Sequence, residues 1–522
     1  MPHPLIAPLR KVFRTVNFTV LGTTATLIVA FMLYGTLFRE QAAATFELTR
    51  NFITEYFGWH YVLTVTFLLV FALWLMFSRY GDIRLGHARE RPEFGFISWF
   101  SMVFSAGMGI GLIFWSVAEP ISFFIDPPRG AARTAEAVET AMLFTFFHWG
   151  LHAWAIYCVV GLTLAYFAYR FGMPFTLRSI FYPLLGDRIY GPIGHAIDII
   201  AVFATLFGLA TSLGLGVLQL NTGLQRLTGM EVSVGNQVML IAAITSIAVA
   251  SVVSGLARGL KWLSLLNMLV GLLLMAFVFL AGSTLFSVRL MLDSLGNYLQ
   301  EIVALSFRNN AVEEARFQQQ WTLFYWAWWI SWSPFVGIFI ARVSQGRTIR
   351  QFVAGTLLVP TLIVFAWLAV SGGTALELEF RAGAEGAGIA AAVERDVTLA
   401  LFVMLEQLPW SLVSSTVATL LVVTFFVTSS DSATHVVDAL LTRGSKRSPT
   451  RQRVIWGFTE GAVAAVLLVA GGTAALQALQ TASIAAGLPF SLILLFMCYS
   501  FWIALRREFS VPAVASGQAA RT

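Results

Sequence analysis

The sequence predicts an all-α membrane protein with 12 transmembrane helices. Of its 522 residues, 58% are hydrophobic and only 11% are charged, whereas a soluble domain carries about 25% charged residues. Apolar runs of the length that crosses a bilayer, about 20 residues, recur along the chain. We expect them at 18–38, 60–78, 96–118, 141–169, 195–225, 234–255, 262–288, 319–341, 351–373, 409–440, 451–471 and 480–505.

The loops between these runs alternate in charge. Most of the 33 Lys and Arg residues fall in alternate segments such as "LRKVFR", "ARVSQGRTIR" and "RGSKRSPTRQR", and acids dominate the segments between them. Because Lys and Arg concentrate in cytoplasmic loops, these segments are predicted to lie inside. An even number of spans then places both termini in the cytoplasm.

The long outer segment 289–318 divides the chain. Its apolar residues in "RLMLDSLGNYLQEIVAL" recur at helical spacing, which predicts a helix along the outer interface. Counted back to residue 96, five spans precede it, and five follow it, an arrangement typical of the inverted repeats of secondary transporters. The expected organisation is therefore a short N-terminus, two additional helices, a first repeat, the interfacial helix, a second repeat and a short C-terminus, at 1–17, 18–95, 96–288, 289–318, 319–505 and 506–522.

Glycines interrupt the third span. In "SAGMGIGLIFWSVAEP", Gly107, Gly109 and Gly111 stand at every second position. Small residues commonly allow close packing of membrane helices. Spacing of two instead places glycine all round the helix, which favours unwound backbone that lines a cavity and offers carbonyls to an ion. Glu119, near the end of the span, is expected to be a solvated residue at the helix exit.

The tenth span carries hydroxyls on one face. In "TFFVTSSDSATH", Phe425, Thr428 and Ser429 share a side of the predicted helix. Hydroxyls in membrane helices usually bond back to their own backbone. Two adjacent hydroxyls can also supply oxygens to sodium, so both interpretations stay open.

Aromatic residues cluster on the fourth and eighth spans. "FHWGLHAWAIY" and "FYWAWWISW" place several rings near mid-span. An interfacial aromatic belt would lie at the helix ends, so the alternatives are core packing and a ring-lined box with no charge nearby. Such a box attracts a quaternary ammonium at about 2 kcal/mol per desolvated ring. The rings concerned are Trp149, Trp154, Tyr157, Tyr325, Trp328, Trp329 and Trp332.

Other function classes find little support. The two cysteines lie in apolar runs, and His148 and His152 lack a third ligand in reach, so neither a disulfide framework nor a metal site is expected. An enzyme needs a nucleophile, an acid–base pair or a metal cluster, and no such set stands at mid-membrane depth. A receptor would need a sizeable soluble output domain. No nucleic-acid partner is expected.

Four motifs resemble the betaine/carnitine/choline transporter family. They are "GMGIGLIFWSVAEP", "FHWGLHAWAIYCVVG", "FYWAWWISWSPFVGIFIARVSQGRTIRQF" and "FFVTSSDSATHVVDAL", and the resemblance covers roughly residues 10 to 506. It implies a LeuT-like fold with two inverted five-helix repeats preceded by two extra helices, usually in a homotrimer of the bacterial inner membrane. It also implies uptake of a trimethylammonium-type solute by alternating access.

The resemblance assigns site residues by position. Trp149, Trp154, Tyr157 and Trp329 correspond to the central aromatic box, and Trp328 and Trp332 to aromatics along the substrate path. A sodium site would use the carbonyls of Ser105, Met108 and Phe425 and the hydroxyls of Thr428 and Ser429. The family's other proposed sodium site retains Thr205 and Phe335, but Leu209 replaces its second threonine, so one well-formed sodium site is expected and no other cofactor.

The resemblance also bears on cargo and coupling. Gly111 stands where choline-taking relatives often have an acid, which favours a substrate that carries its own carboxylate, such as glycine betaine. Amides of the broken helix at Met108, Gly109 and Gly111 would then meet that carboxylate. Choline, carnitine, trimethylamine and dimethylsulfonium compounds fit the same box. No Arg or Lys stands mid-way along the third, fifth or tenth span, which favours sodium coupling over sodium-independent exchange.

Overall fold

A computed structural model of the chain is all-helical in the residues it describes, which are 16–107, 109–254, 257–311, 315–383, 386–442 and 450–510. Ten helical segments in this part of the chain are long and apolar enough to cross a membrane. The principal helices are α1 (Phe18–Leu37), α2 (Arg39–Phe77), α3 (Phe96–Gly107), α4 (Ile110–Ile125), α5 (Ala135–Trp149), α6 (Leu151–Phe171), α7 (Pro192–Thr228), α8 (Val234–Ser254), α9 (Ala257–Ala281), α10 (Thr284–Ser306), α11 (Leu323–Arg342), α12 (Ile349–Arg381), α13 (Ile389–Arg395), α14 (Ala400–Glu406), α15 (Ser411–Leu441), α16 (Thr450–Gly471) and α17 (Ala475–Ser510).

Each predicted span coincides with one or two of these helices, but several helices extend beyond the apolar run. Helix α2 begins at Arg39, well before the predicted start at residue 60. Its first half, "REQAAATFELTRNF", is polar but rich in good helix formers. Hydropathy detects only the part of a helix that suits lipid, so the polar turns were missed.

The third span is interrupted where the glycines predict. Helix α3 ends at Gly107 and α4 begins at Ile110, with Gly109 in an extended conformation at φ −168° and ψ −143°. The glycines also serve close packing. A Cβ atom at Gly107 would lie 2.4 Å from Cη2 of Trp154, and one at Gly111 would lie 2.3 Å from Cη2 of Trp328. The helix break and the close packing are therefore both present, and the role of the carbonyls in binding an ion stays a prediction.

The fourth span is also divided, which the sequence analysis did not predict. Gly150 separates α5 from α6, at φ −88° and ψ −142°. The Leu151 N–H, which lacks a helical partner there, donates to the hydroxyl of Tyr298 on α10 at 3.1 Å. The break directly follows Trp149, so the two halves of this span carry different rings.

Helix α11 lies at the centre of the molecule. It packs against α6, α7 and α17, and its most apolar window, which lies within 318–342, is 94% buried, against 22% for α1. This position explains why its tryptophans face protein rather than lipid.

Two boundaries near the outer segment and the C-terminus differ from expectation. The predicted interfacial helix at 289–318 is instead α10, which starts earlier and ends at Ser306. At the other end, α16 and α17 form a nearly continuous helical run, whereas the sequence predicted a gap from 472 to 479 between two spans. A short 3-10 turn at Gly472–Ala474 divides this run, and α16 and α17 pack against each other.

Candidate functional site

Six predicted aromatic residues gather between α5, α6 and α11, and we call them the aromatic cluster. All six are at most 4% exposed. The cluster consists of Trp149, Trp154, Tyr157, Trp328, Trp329 and Trp332. Their burial excludes an interfacial belt as their role.

The rings of the cluster contact one another directly. Trp149 and Trp329 meet edge to face with centroids 4.9 Å apart, and Trp328 stacks on Trp329 at 4.6 Å. Tyr157 lies 6.2 Å from Trp329 and 5.7 Å from Trp154. Because Trp149 and Trp329 fill the space between them, a methylated ammonium enters between these two rings only if they separate.

Hydrogen bonds fix the orientation of three of the rings. The Trp329 indole N–H donates to the His148 carbonyl at 2.9 Å, and that of Trp328 donates to the Ser212 hydroxyl at 3.1 Å. The Trp149 N–H donates to Glu119 at 2.7 Å. Each bond joins the ring to a different helix, so these three rings are held from outside the cluster.

The other three members keep unused donors. Trp154 Nε1, the Tyr157 hydroxyl and Trp332 Nε1 are buried with no hydrogen-bond partner among the described residues. A buried donor left unpaired costs about 1–3 kcal/mol, and such groups are uncommon in native structures. All three of these donors belong to the aromatic cluster.

Glu119 corrects two expectations. Its side chain is fully buried rather than solvated, because α4 continues through Pro120 to Ile125. Its carboxyl group also accepts the Trp149 N–H, so the rings have an ionisable side chain beside them, which the sequence analysis did not expect. Its partners come from residues far along the chain, which the local pattern could not reveal.

The hydroxyl region lies at the helix break, and we define it as Gly109, Phe425, Thr428 and Ser429. A Cβ atom at Gly109 would lie 3.5 Å from the Ser429 hydroxyl and 4.0 Å from Cη2 of Trp332. Gly109 and Phe425 line one cavity, whose empty volume is about 550 Å³ with the space that opens to the exterior included. The third and tenth spans therefore meet as predicted, beside the aromatic cluster.

Thr428 shows the bonding that membrane hydroxyls usually show. Its Oγ1 donates to its own helix, at 3.0 Å from the Thr424 carbonyl oxygen and 3.2 Å from that of Phe425. It also accepts a bond of 3.3 Å from the Asn267 side chain on α9. Sequence reasoning missed Asn267, because a lone polar residue in an apolar run carries no spacing signal.

The other residues predicted to bind sodium include two that the structure does not fully describe. Met108 and the Ser105 side chain lie outside the described residues. In the second proposed site, the Thr205 hydroxyl donates to the Ala201 carbonyl at 2.8 Å. Phe335 is buried beside Trp332, with ring centroids 5.9 Å apart. The second site stays a prediction.

The two histidines of the fourth span form hydrogen bonds within the protein. His148 contacts Glu119 and Thr322, and His152 contacts the Ser306 hydroxyl at 2.8 Å. Among the described residues, no three His, Cys, Asp or Glu side chains are grouped to hold a metal ion.

Comparison with known proteins gives a consistent result. Residues 19–510 match the model of the BCCT family, described as betaine/carnitine/choline family transporters. A probable glycine betaine transporter of Desulfitobacterium hafniense is 46% identical over 490 residues, which is 94% of this chain and 98% of the relative. The glycine betaine transporter OpuD of Bacillus subtilis is 45% identical over 482 residues, 92% of each chain.

A third relative is named for a broader set of substrates. It is a glycine betaine/proline/choline/ectoine transporter of Vibrio parahaemolyticus, 45% identical over 500 residues, or 94% of this chain and 87% of the relative. Matches of this length and identity assign the chain to a class of multi-pass membrane transporters rather than enzymes. The protein therefore belongs to the betaine/carnitine/choline transporter family.

Proposed function

We propose that this transporter imports glycine betaine or a closely related betaine by sodium-coupled symport. The observation that carries the proposal is the buried aromatic cluster, which offers ring faces and three unused donors in one place. Ring faces bind a fully methylated nitrogen, which has no N–H that needs an acceptor. The donors suit a carboxylate. Relatives named as glycine betaine transporters support the same substrate.

The carboxylate end has two sets of candidate partners. Amides at Met108, Gly109 and Gly111 remain the partners expected for a broken helix. The unpaired donors of Trp154, Tyr157 and Trp332 are a further set. Because a Cβ atom at Gly111 would collide with Trp328, glycine at this position also has a packing role that is independent of the substrate.

Sodium fits the hydroxyl region by its chemistry. Hard cations prefer oxygen ligands, and the expected set consists only of hydroxyls and carbonyls. Thr428 donates its proton to its own helix and accepts one bond from Asn267, which leaves its second lone pair for an ion. We propose that the carbonyls of Ser105, Met108 and Phe425 and the hydroxyl of Ser429 complete this site.

The proposed architecture has 12 spans in a LeuT-like arrangement. The ten long apolar segments include α16 and α17 as one segment and leave out α3 and α4. Counting α16 and α17 as two spans, and α3 with α4 as one broken span, gives 12. The first two form an addition, and the remaining ten form two inverted repeats. We propose a homotrimer in the bacterial inner membrane, with both termini in the cytoplasm, in agreement with the charge of the loops.

The proposed mechanism links the two regions through the helix break. Sodium binding orders the backbone around Gly109 against α15, and Trp332 lies beside the same glycine. The aromatic cluster then closes on the ammonium group, and the doubly loaded protein converts to its inward-open form. The inward sodium gradient and the membrane potential, at about 2.3 kcal/mol per charge per 100 mV, drive the cycle.

Sodium-independent exchange of two quaternary amines is the second candidate. The self-bonded hydroxyl of Thr428 favours it, because such a hydroxyl needs no ion to satisfy it.

Transport by purified protein in liposomes separates the two candidates. We expect radiolabelled glycine betaine to accumulate only with an inward sodium gradient, and an inside-negative potential to increase the rate. Equal counterflow in sodium-free potassium buffer would establish exchange instead. A failure of betaine to enter under either condition, while choline or carnitine enters, would reassign the substrate.

A further inference from the structure

Glu119 occupies an unusual place for a carboxylate. It is fully buried in α4, a helix whose residues from Ile110 to Phe124 are almost all buried. Acidic side chains within membrane proteins are expensive, and they usually mark functional sites. The sequence analysis and the proposed transport cycle give it no role.

Three donors from two other helices converge on this carboxylate. Oε2 accepts the Trp149 indole N–H at 2.7 Å and the Tyr325 hydroxyl at 2.5 Å, and Oε1 lies 2.7 Å from Nδ1 of His148. These lengths are typical of bonds to an ionised acceptor. The Trp149 indole can only donate, so an acceptor oxygen is obligatory there.

His148 holds the carboxylate from its second side. Its other ring nitrogen, Nε2, lies 2.9 Å from the Thr322 hydroxyl, and its ring stacks on Tyr325 with centroids 4.7 Å apart. The carbonyl of the same residue accepts the Trp329 N–H. The pair of Glu119 and His148 therefore fixes the two rings that meet edge to face in the aromatic cluster.

A hydrogen bond from an indole or a phenol to a carboxylate also changes the ring. The acceptor's negative charge polarises the N–H or O–H bond and pushes electron density toward the ring, and this polarisation is stronger where water is excluded. The ring faces become more negative and attract a cation more strongly. A permanently charged nitrogen in a dry interior needs such compensation, since it cannot lose its charge.

We propose that Glu119 is a positioning residue that supplies the counter-charge for the substrate's ammonium group through the rings of Trp149 and Tyr325. This inference rests on the proposed function, since it assumes a quaternary ammonium in the aromatic cluster. The carboxylate does not touch the substrate. It selects for positive charge by polarising Trp149, which belongs to the aromatic cluster, and Tyr325, whose ring packs against Trp149 and Trp329 of that cluster.

The test compares glycine betaine affinity in Glu119→Gln and Glu119→Asp, measured by tryptophan fluorescence on purified protein. Gln keeps the size but loses the charge, whereas Asp keeps the charge but is one methylene shorter. If the charge matters, we expect affinity to fall at least tenfold in Glu119→Gln and less in Glu119→Asp. If Glu119 only fills space or holds the fold, Gln will be tolerated as well as Asp or better, and that order overturns the proposal.

A neutral-headed analogue provides the second readout. In 3,3-dimethylbutanoate a carbon atom replaces the charged nitrogen of glycine betaine, and its inhibition of betaine uptake reports its affinity. Glu119→Gln should reduce the preference for betaine over this analogue at least tenfold. An equal loss for both compounds would show a structural role and contradict the proposal.

Glu460→Gln is the matched control. Glu460 is equally buried, on α16, where it accepts bonds from Ser430 and Thr434 away from the aromatic cluster. Its substitution should leave betaine affinity within twofold of wild type. If the wild-type protein does not bind betaine, the proposed function fails. If wild type binds and Glu119→Gln binds equally well, only the role of Glu119 fails.

Discussion

The aromatic cluster and the hydroxyl region differ in how deeply their side chains are buried and in how firmly hydrogen bonds hold them. The six aromatic side chains are almost completely buried, and three of them are hydrogen-bonded to other helices. Phe425, Thr428 and Ser429 are only half-buried, and the backbone opposite them is interrupted at Gly109.

This difference assigns separate tasks to the two regions. Hydrogen bonds that already fix the ring orientations reduce the side-chain freedom that binding must remove, and only the separation of Trp149 from Trp329 is then needed to admit an ammonium group. Thr428 bonds to its own helix and keeps one lone pair for an ion, so in the proposed cycle it is the interrupted backbone at Gly109 that must become ordered when sodium binds. We infer that the aromatic cluster determines which substrate is bound. The hydroxyl region would determine when the protein converts from its outward-open to its inward-open form. The predictions that follow test this division, from the largest expected effect to the smallest.

Trp329→Leu should abolish uptake. The substitution removes one ring face, worth about 2 kcal/mol, and a hydrogen bond to His148 worth about 1 kcal/mol, which together correspond to about 100-fold in affinity. Betaine uptake in cells is the measurement, with membrane insertion checked by size-exclusion profile. Trp262→Leu makes the same change at a side chain that is 72% exposed, and it should transport normally. Wild-type uptake in Trp329→Leu would remove the aromatic cluster as the substrate site.

Gly111→Ala should damage the cluster without removing a ring. The added methyl group would lie 2.3 Å from Trp328, and such overpacking typically costs about 1–3 kcal/mol. We expect a melting temperature several degrees lower and clearly reduced uptake. Gly22→Ala is the control, because nothing lies within 4 Å of its added methyl group. A Gly111→Ala protein as stable and active as wild type would show that the rings are not held as rigidly as described.

Thr428→Ala should affect the ion and spare the substrate. The loss of one oxygen ligand should raise the sodium concentration for half-maximal uptake about fivefold to tenfold, in line with about 1 kcal/mol or slightly more per lost polar contact. Thr428→Ser should restore the wild-type response. Thr424→Ala removes a hydroxyl that bonds only to its own helix, one turn away, and should change little. An unchanged sodium response in Thr428→Ala would exclude Thr428 from the site.

Arg129→Ala should have the smallest effect, a slight loss of stability, and should leave transport unchanged. Arg129 binds Glu301 on α10 with both guanidinium nitrogens, at 2.7 and 2.6 Å, and lowers the pKa of that carboxyl below its ordinary value. The pair therefore stabilises the fold above about pH 4.3 and loses this contribution as the pH falls through the lowered pKa. Both side chains are partly exposed, so the effect should stay below about 1 kcal/mol.

Thermal unfolding of Arg129→Ala at pH 7 and at pH 3.5 is the measurement. The variant should melt slightly lower than wild type at pH 7, and the difference should shrink at the acidic pH. A reduction of betaine affinity in this variant would contradict the separation between the outer surface and the aromatic cluster.

Local patterns in the sequence predicted the helix break and the group of aromatic residues beside it. The glycines before Ile110 indicated the helix break, and four tryptophans in seven residues indicated a ring-rich wall. Both signals depend on neighbours in the chain. The burial of Glu119 escaped prediction because its donors, His148, Trp149 and Tyr325, are brought by other helices. The break at Gly150 escaped because a single glycine in an apolar run gives too weak a signal.

The break at Gly150 divides the aromatic residues of the fourth span between two helices. Trp149 belongs to α5, before the break, whereas Trp154 and Tyr157 belong to α6, after it. We infer that the two helices can move apart at Gly150 without unwinding, which would separate the rings that they carry. The Tyr298 hydroxyl accepts the Leu151 N–H at this break, so such a movement would be coupled to α10.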